Sequence, residues 1–253
     1  MMFFLRTLPV LSAVWVVAFF RLALHSPNSF WYFASTAVLG ALAALWLLIR
    51  RAPLPQGKWS ILAFPTLTLL AVVGVLLFSE REGLQWVLLI GTGVLLALYV
   101  EQVFRFAHVP ARYQSNALVN LGFVFAVLSI FFTSLTVFDL QLFANVPFWM
   151  AVAIFTVITI FWCLMVFRFI DAPTLLRWPW GITFAVVMLE MFSLLAWLPV
   201  LPFVKAAILA LIVTGVLQRV RDDVIGAGKA HWWTTMLVAI MLLFVLATAR
   251  WFA

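Results

Sequence analysis

Residues 117–138 read ALVNLGFVFAVLSIFFTSLTVF, a run without a single charged side chain. Wound as an α-helix at ~1.5 Å per residue, such a stretch is about 33 Å long, enough to cross a hydrocarbon layer of about 30 Å. A helix on the surface of a soluble domain keeps one polar face for water, and this one has none. The run is read as a transmembrane helix.

Working outward, eight further stretches have the same character: 8–24, 30–49, 60–78, 86–104, 148–167, 180–198, 203–219 and 232–250. The breaks between them carry turn chemistry, as in His25-Ser26-Pro27-Asn28-Ser29, Pro53-Leu54-Pro55-Gln56-Gly57, Ser79-Glu80-Arg81-Glu82-Gly83 and the short Pro199–Pro202 link. Arg21 interrupts the first stretch and no small-residue cleavage site follows it, so the stretch is read as a retained helix rather than a signal peptide. The expected fold is all-α, a polytopic transmembrane bundle of about nine spans forming a single integral membrane domain over 1–253.

Composition agrees. Hydrophobic residues make up 67% of the chain and charged residues 9%, with a mean hydropathy of +1.22. A soluble domain is about half apolar and a quarter charged, so a soluble enzyme, a nucleic-acid binder and a disordered chain are excluded. The formal charge of +7 therefore points to lipid headgroups as the anionic partner, not nucleic acid. The single cysteine, Cys163, lies in an apolar run and is read as a small buried hydrophobe.

Charge also orients the chain. With nine spans, the side of the N-terminus collects Arg6, Arg50, Arg51, Lys58, Arg105, Arg112, Arg168, Arg177, Arg219, Arg221 and Lys229, eleven of the fifteen basic residues. The other side holds Arg21, Arg81, Lys205 and Arg250. By the positive-inside rule the N-terminus is cytoplasmic and the C-terminus external. The expected address is a bacterial cytoplasmic (plasma) membrane. Tryptophans mark both interfaces: Trp31, Trp86, Trp149, Trp197 and Trp251 outside, and Trp59, Trp178, Trp180, Trp232 and Trp233 inside.

Two patterns concern packing. Ala34, Ala37, Ala41 and Ala44 line one face of the second span, Gly122, Ala126, Ser129, Thr133 and Thr136 one face of the fifth, and Thr156, Thr159 and Cys163 one face of the sixth. Such stripes let backbones approach closely and let hydroxyls bond across helices. At the inner rim, residues 103–110 (VFRFAHVP) resemble residues 166–173 (VFRFIDAP), either a hairpin repeat or the common chemistry of helix ends.

Few residues suggest chemistry. Glu190 is the one acidic residue expected at mid-membrane, where an ionised carboxylate is costly, so it must be neutral or find a partner. Thr183, Ser193 and Trp197 share its helix, and Arg21 and Lys205 are the nearest cations in depth. It is either a transport carboxylate or a packing device. Glu101 and Arg105, at i and i+4, read as an interfacial ion pair. His108, Asp171 and His231 are candidates for convergence at the cytoplasmic rim, and Asp222 and Asp223 stand in what reads as a polar loop between Arg221 and Lys229. No metalloprotease, nucleophile-elbow or phosphate-loop motif is present, and no cofactor is expected.

The primary expectation for function is a non-catalytic scaffold or accessory subunit. Its partners are membrane lipids and other membrane subunits. The alternatives are a small proton-, cation- or lipid-linked transporter using Glu190 and a lipid-modifying enzyme at the rim.

Overall fold

The computed structural model describes residues 2–50, 58–110, 113, 117–169 and 174–225. They form eight α-helices and, among the described residues, no strand: α1 (Met2–His25), α2 (Phe30–Ile49), α3 (Lys58–Phe78), α4 (Glu82–His108), α5 (Ala117–Phe143), α6 (Phe148–Phe169), α7 (Thr174–Trp197) and α8 (Pro202–Ile225). Six of them, α1 to α6, are long and apolar enough to cross a membrane, while α7 and α8 carry shorter apolar stretches, Gly181–Trp197 and Pro202–Val216. Each of the first eight expected spans falls on one helix, and the ninth, 232–250, lies outside the described residues.

Some helices overrun the spans into the polar residues that follow the apolar run. The last turn of α4 includes Arg105 and His108, and α8 continues to Ile225, so Asp222 and Asp223 belong to a helix and not to the loop expected for them. Likewise α5 ends at Phe143, which places Asp139 within a helix whose apolar run had suggested an end at residue 138. The reason is physical. Hydropathy marks the hydrocarbon thickness, whereas the backbone ladder continues into the headgroup layer until a capping residue stops it.

The α5–α6 turn shows such a stop. Asn145 takes a left-handed φ of 49°, and the Ala144 and Val146 amides both donate to the Leu140 carbonyl, at 3.0 and 3.4 Å. This is the usual left-handed helix terminus, in which asparagine can stand for glycine. Pro147 follows and α6 starts at once. Pro202 opens α8 in the same manner, so the short Pro199–Pro202 link does separate two helices.

Contacts divide the chain into two units, Met1–Phe125 and Ala126–Ala253. In the first, α1 packs along both α2 and α4, and α2 also touches α3 and α4. Close approach is made possible by missing side chains. The alanine stripe of α2, Ala34, Ala37, Ala41 and Ala44, is buried as expected. Beside it, the Trp15 indole lies across Gly40, where any Cβ would overlap the ring, and its Nε1 donates to the Thr36 carbonyl at 3.1 Å. On α4, a Cβ at Gly93 would come within 2.7 Å of Val17 Cγ2. Both seats let α1 sit tightly against its neighbours, and in lipid such van der Waals contact replaces the hydrophobic drive available in water.

Three polar contacts add to this unit. Pro65, inside α3, has no amide hydrogen to give to the Ile61 carbonyl one turn back. The fully buried Tyr99 hydroxyl on α4 donates to that carbonyl at 2.9 Å. Near the α1–α2 turn, Arg21 pairs with Glu82 at 2.8 Å and lies 4.6 Å over the Trp86 ring. The expected Glu101–Arg105 pair is formed at 2.8 Å.

Hydroxyls behave differently from expectation. Those of Thr36, Thr66, Ser134, Thr136, Thr156 and Thr214 donate to the carbonyl four residues back on their own helix. The Thr68 hydroxyl bonds the Phe64 carbonyl of its own helix and also reaches a second helix, at Phe125 O, 3.1 Å. The i−4 carbonyl is always within reach of a helical Ser or Thr, so no partner helix is needed.

In the second unit α6 packs along α7, and α7 along α8. Its centre is a stack of three buried rings. Phe192 of α7 lies between Phe138 of α5 at 4.6 Å and Phe155 of α6 at 4.4 Å, with interplanar angles of 7° and 17°. Cys163 is buried, with Sγ 3.8 Å from the Gly181 carbonyl, in agreement with its reading as a small core residue.

Candidate functional site

The Phe192 stack fixes the rotation of α7 about its own axis, and with it the direction of Glu190. At 100° per residue, Phe184, Ala185, Met188, Phe192 and Leu195 turn inward and are buried. The opposite face carries Ile182, Val186, Glu190, Leu194 and Trp197. Their spacing of i, i+4, i+8, i+12 and i+15 makes one continuous stripe along the helix. The four apolar members are 59%, 47%, 61% and 79% exposed, and Glu190 is exposed among them.

Glu190 therefore does not face a core. No hydrogen bond or ion pair to its carboxyl occurs among the described residues. The two cations expected near it are both engaged elsewhere. Lys205 donates from Nζ to the Ala196 carbonyl at 3.1 Å and stands 5.4 Å over the Phe138 ring, so it caps the last turn of α7, where a positive charge meets the negative end of the helix dipole. Arg21 belongs to the Glu82 pair already described. Thr183 bonds the Pro179 carbonyl of its own helix at 2.9 Å. Trp197 lies 5.7 Å from the Phe148 ring.

Beside the stripe runs a groove between α6 and α7 with a volume of about 270 Å³. Thr156, Ile160 and Leu164 form its α6 wall, and Gly181, Ala185 and Leu189 the floor and wall on α7. It exists because Gly181 has no side chain and Ala185 only a methyl. The Thr156 hydroxyl is turned to the Val152 carbonyl, 2.7 Å away, so the groove offers no free donor and no titratable group. Val186 is on both features, at the groove edge and one turn before Glu190.

Of the rim candidates, only the His108 side chain falls among the described residues. His108 is the last residue of α4, its ring stacked at 5.3 Å on Phe104, and its Nδ1 has no hydrogen-bond partner among the described residues. Asp171 and His231 lie outside the described residues, and the side chains of Asp222 and Asp223 are not described. Among the described residues, no group of three His, Cys, Asp or Glu side chains is placed to hold a metal ion.

Reasoning from sequence missed two features: the Arg21–Glu82 pair, whose partners are 61 positions apart, and the inclusion of Asp139 in α5. A glutamate at the first position of a helix could have signalled the first, because an acid there complements the dipole and is free to meet a cation. Compared with known proteins, the chain matches no family model, no curated protein and no solved structure.

Proposed function

We propose that this chain is a non-catalytic subunit of a membrane assembly, a scaffold or accessory protein that binds a neighbouring transmembrane protein through the outward stripe of α7. The observation that carries the proposal is the exposed Glu190, without a partner among the described residues, in the middle of that apolar stripe. On insertion scales an ionised acid at the centre of a membrane helix costs about 2.5–3.5 kcal/mol, and such a residue almost always faces a bundle interior rather than lipid. A second protein seated on α7 restores that arrangement.

The transporter alternative has less behind it. A carboxylate that moves protons or cations needs a polar route, and the groove next to Glu190 is lined by apolar side chains and an internally bonded threonine. The rim-enzyme alternative rests on His108, Asp171, Asp222, Asp223 and His231, of which only the His108 side chain is described.

The same reading takes the chain as one integral domain of nine spans in a bacterial plasma membrane, with a cytoplasmic N-terminus and an external C-terminus. Its support is the division of basic residues, eleven against four. The exposed Trp31, Trp86, Trp149 and Trp197, all at helix ends assigned to the outer interface, agree with it.

A photo-crosslinking residue placed at Val186 in native membranes tests the subunit reading. A discrete protein adduct is expected, whereas Leu39, 64% exposed on α2, serves as the lipid-facing control. Lipid adducts alone from both positions would reject it.

A further inference from the structure

The α7 stripe and the α6–α7 groove together specify more than an apolar contact. Val186 to Glu190 is one helical turn, a rise of about 6 Å. A helix laid along the stripe would set an apolar side chain into the groove beside Val186 and present its next turn to Glu190. The remaining stripe residues, Ile182, Leu194 and Trp197, are apolar, so the only specific demand comes from the carboxyl.

That demand is for a cation or a strong donor, and this chain does not supply one at that depth among its described residues. Glu190 is seven positions before the end of α7. Lys205, three positions into α8, is held by Ala196 and Phe138. Arg21, four positions before the end of α1, is held by Glu82 and Trp86. A second copy of the chain would bring a second Glu190 to the contact, with its Arg21 and Lys205 already engaged near helix ends. Lipid chains would cover the apolar residues and leave the acid without a partner.

Resting on the subunit reading above, we infer that the α7 face binds a transmembrane helix of a different protein carrying a lysine or arginine near mid-membrane, with an apolar side chain one turn away that enters the α6–α7 groove. The pairing is between charges of opposite sign inside hydrocarbon, where leaving either alone is the costly state. Arg21 over Glu82 and Trp86 is a pair of opposite charges between two helices of this chain, set at their ends with Glu82 exposed, so it leaves the mid-membrane carboxyl unanswered.

The test uses the full-length purified protein in phosphatidylcholine vesicles and a polyleucine transmembrane peptide with one central lysine as the probe, association being read by resonance energy transfer. The lysine peptide is expected to bind about ten-fold more tightly than its all-leucine counterpart, the scale of one interhelical polar contact in lipid. Glu190→Gln should remove most of that preference and Glu190→Leu all of it. Val186→Trp, which crowds the groove edge, should weaken both peptides alike. Equal binding of the two peptides to the unaltered protein, or a lysine preference that survives Glu190→Leu, would overturn the inference. So would self-association of the protein that is lost in Glu190→Leu, because the occupant would then be a second copy. A lysine preference without a protein adduct at Val186 in native membranes supports the cation chemistry while removing the subunit reading. An adduct without the preference overturns the inference and leaves the subunit reading in place.

Discussion

The Tyr99 hydroxyl donates to the Ile61 carbonyl, 2.9 Å away and fully buried. The bond joins α4 to α3 at the one turn of α3 that Pro65 leaves without a backbone donor. A proline in a membrane helix is tolerated when a neighbouring group satisfies the freed carbonyl, and here the tyrosine on the next helix does so.

Tyr99→Phe keeps the ring and its edge contact with Phe125 but strands the Ile61 carbonyl. The expected cost is about 1–2 kcal/mol, measured by reversible unfolding in mixed micelles. Pro65→Ala restores an amide donor to Ile61, so Tyr99→Phe should cost clearly less in that background. Equal costs in both backgrounds would show that the hydroxyl does not substitute for the missing amide.

Gly40 holds the Trp15 indole against α2. Gly40→Ala forces the ring off its seat and breaks the Nε1 bond to Thr36, with an expected loss of about 1–3 kcal/mol. Because Trp15 is the obstacle, Trp15→Ala should relieve the penalty, and adding Gly40→Ala to it should then cost little. A thermal-melt double-mutant cycle reads this coupling directly.

Orientation follows from the basic residues. A reporter fused after Ala253 is expected to read as external and one inserted in the 105–116 segment as cytoplasmic. Finding both on one side would reject the nine-span topology.

Much of the helical plan was legible because the hydrocarbon layer imposes a length. The second span was read as 30–49 and α2 is Phe30–Ile49. Its alanine stripe was legible too, since small residues at helical spacing mark where a neighbour comes close, and Ala34, Ala37, Ala41 and Ala44 are all buried. Helix ends were less so, because α4 and α8 continue through His108 and Ile225, past the point where hydropathy falls. The surroundings of Glu190 were not legible at all. Apart from that residue, Thr183 and Ser193, α7 from Gly181 to Trp197 is apolar on every side, so no clear amphipathic pattern tells which face turns inward. The stacking of Phe192 between Phe138 and Phe155 decides it, and that is a tertiary contact among three helices which the local pattern of α7 does not encode. Arg21 was set at the right depth for an acid, but its acid proved to be Glu82.

The central claim is that Glu190 lies on an outward face that another protein covers in the cell. An apolar carbodiimide, which partitions into the membrane and adds to protonated carboxyls, measures this at one residue by mass spectrometry of the labelled peptide. Glu190 should label rapidly in the purified protein in vesicles and should be protected in native membranes, with Glu190→Gln abolishing the signal. Resistance to labelling in the purified protein, or equal labelling in both settings, would contradict the claim.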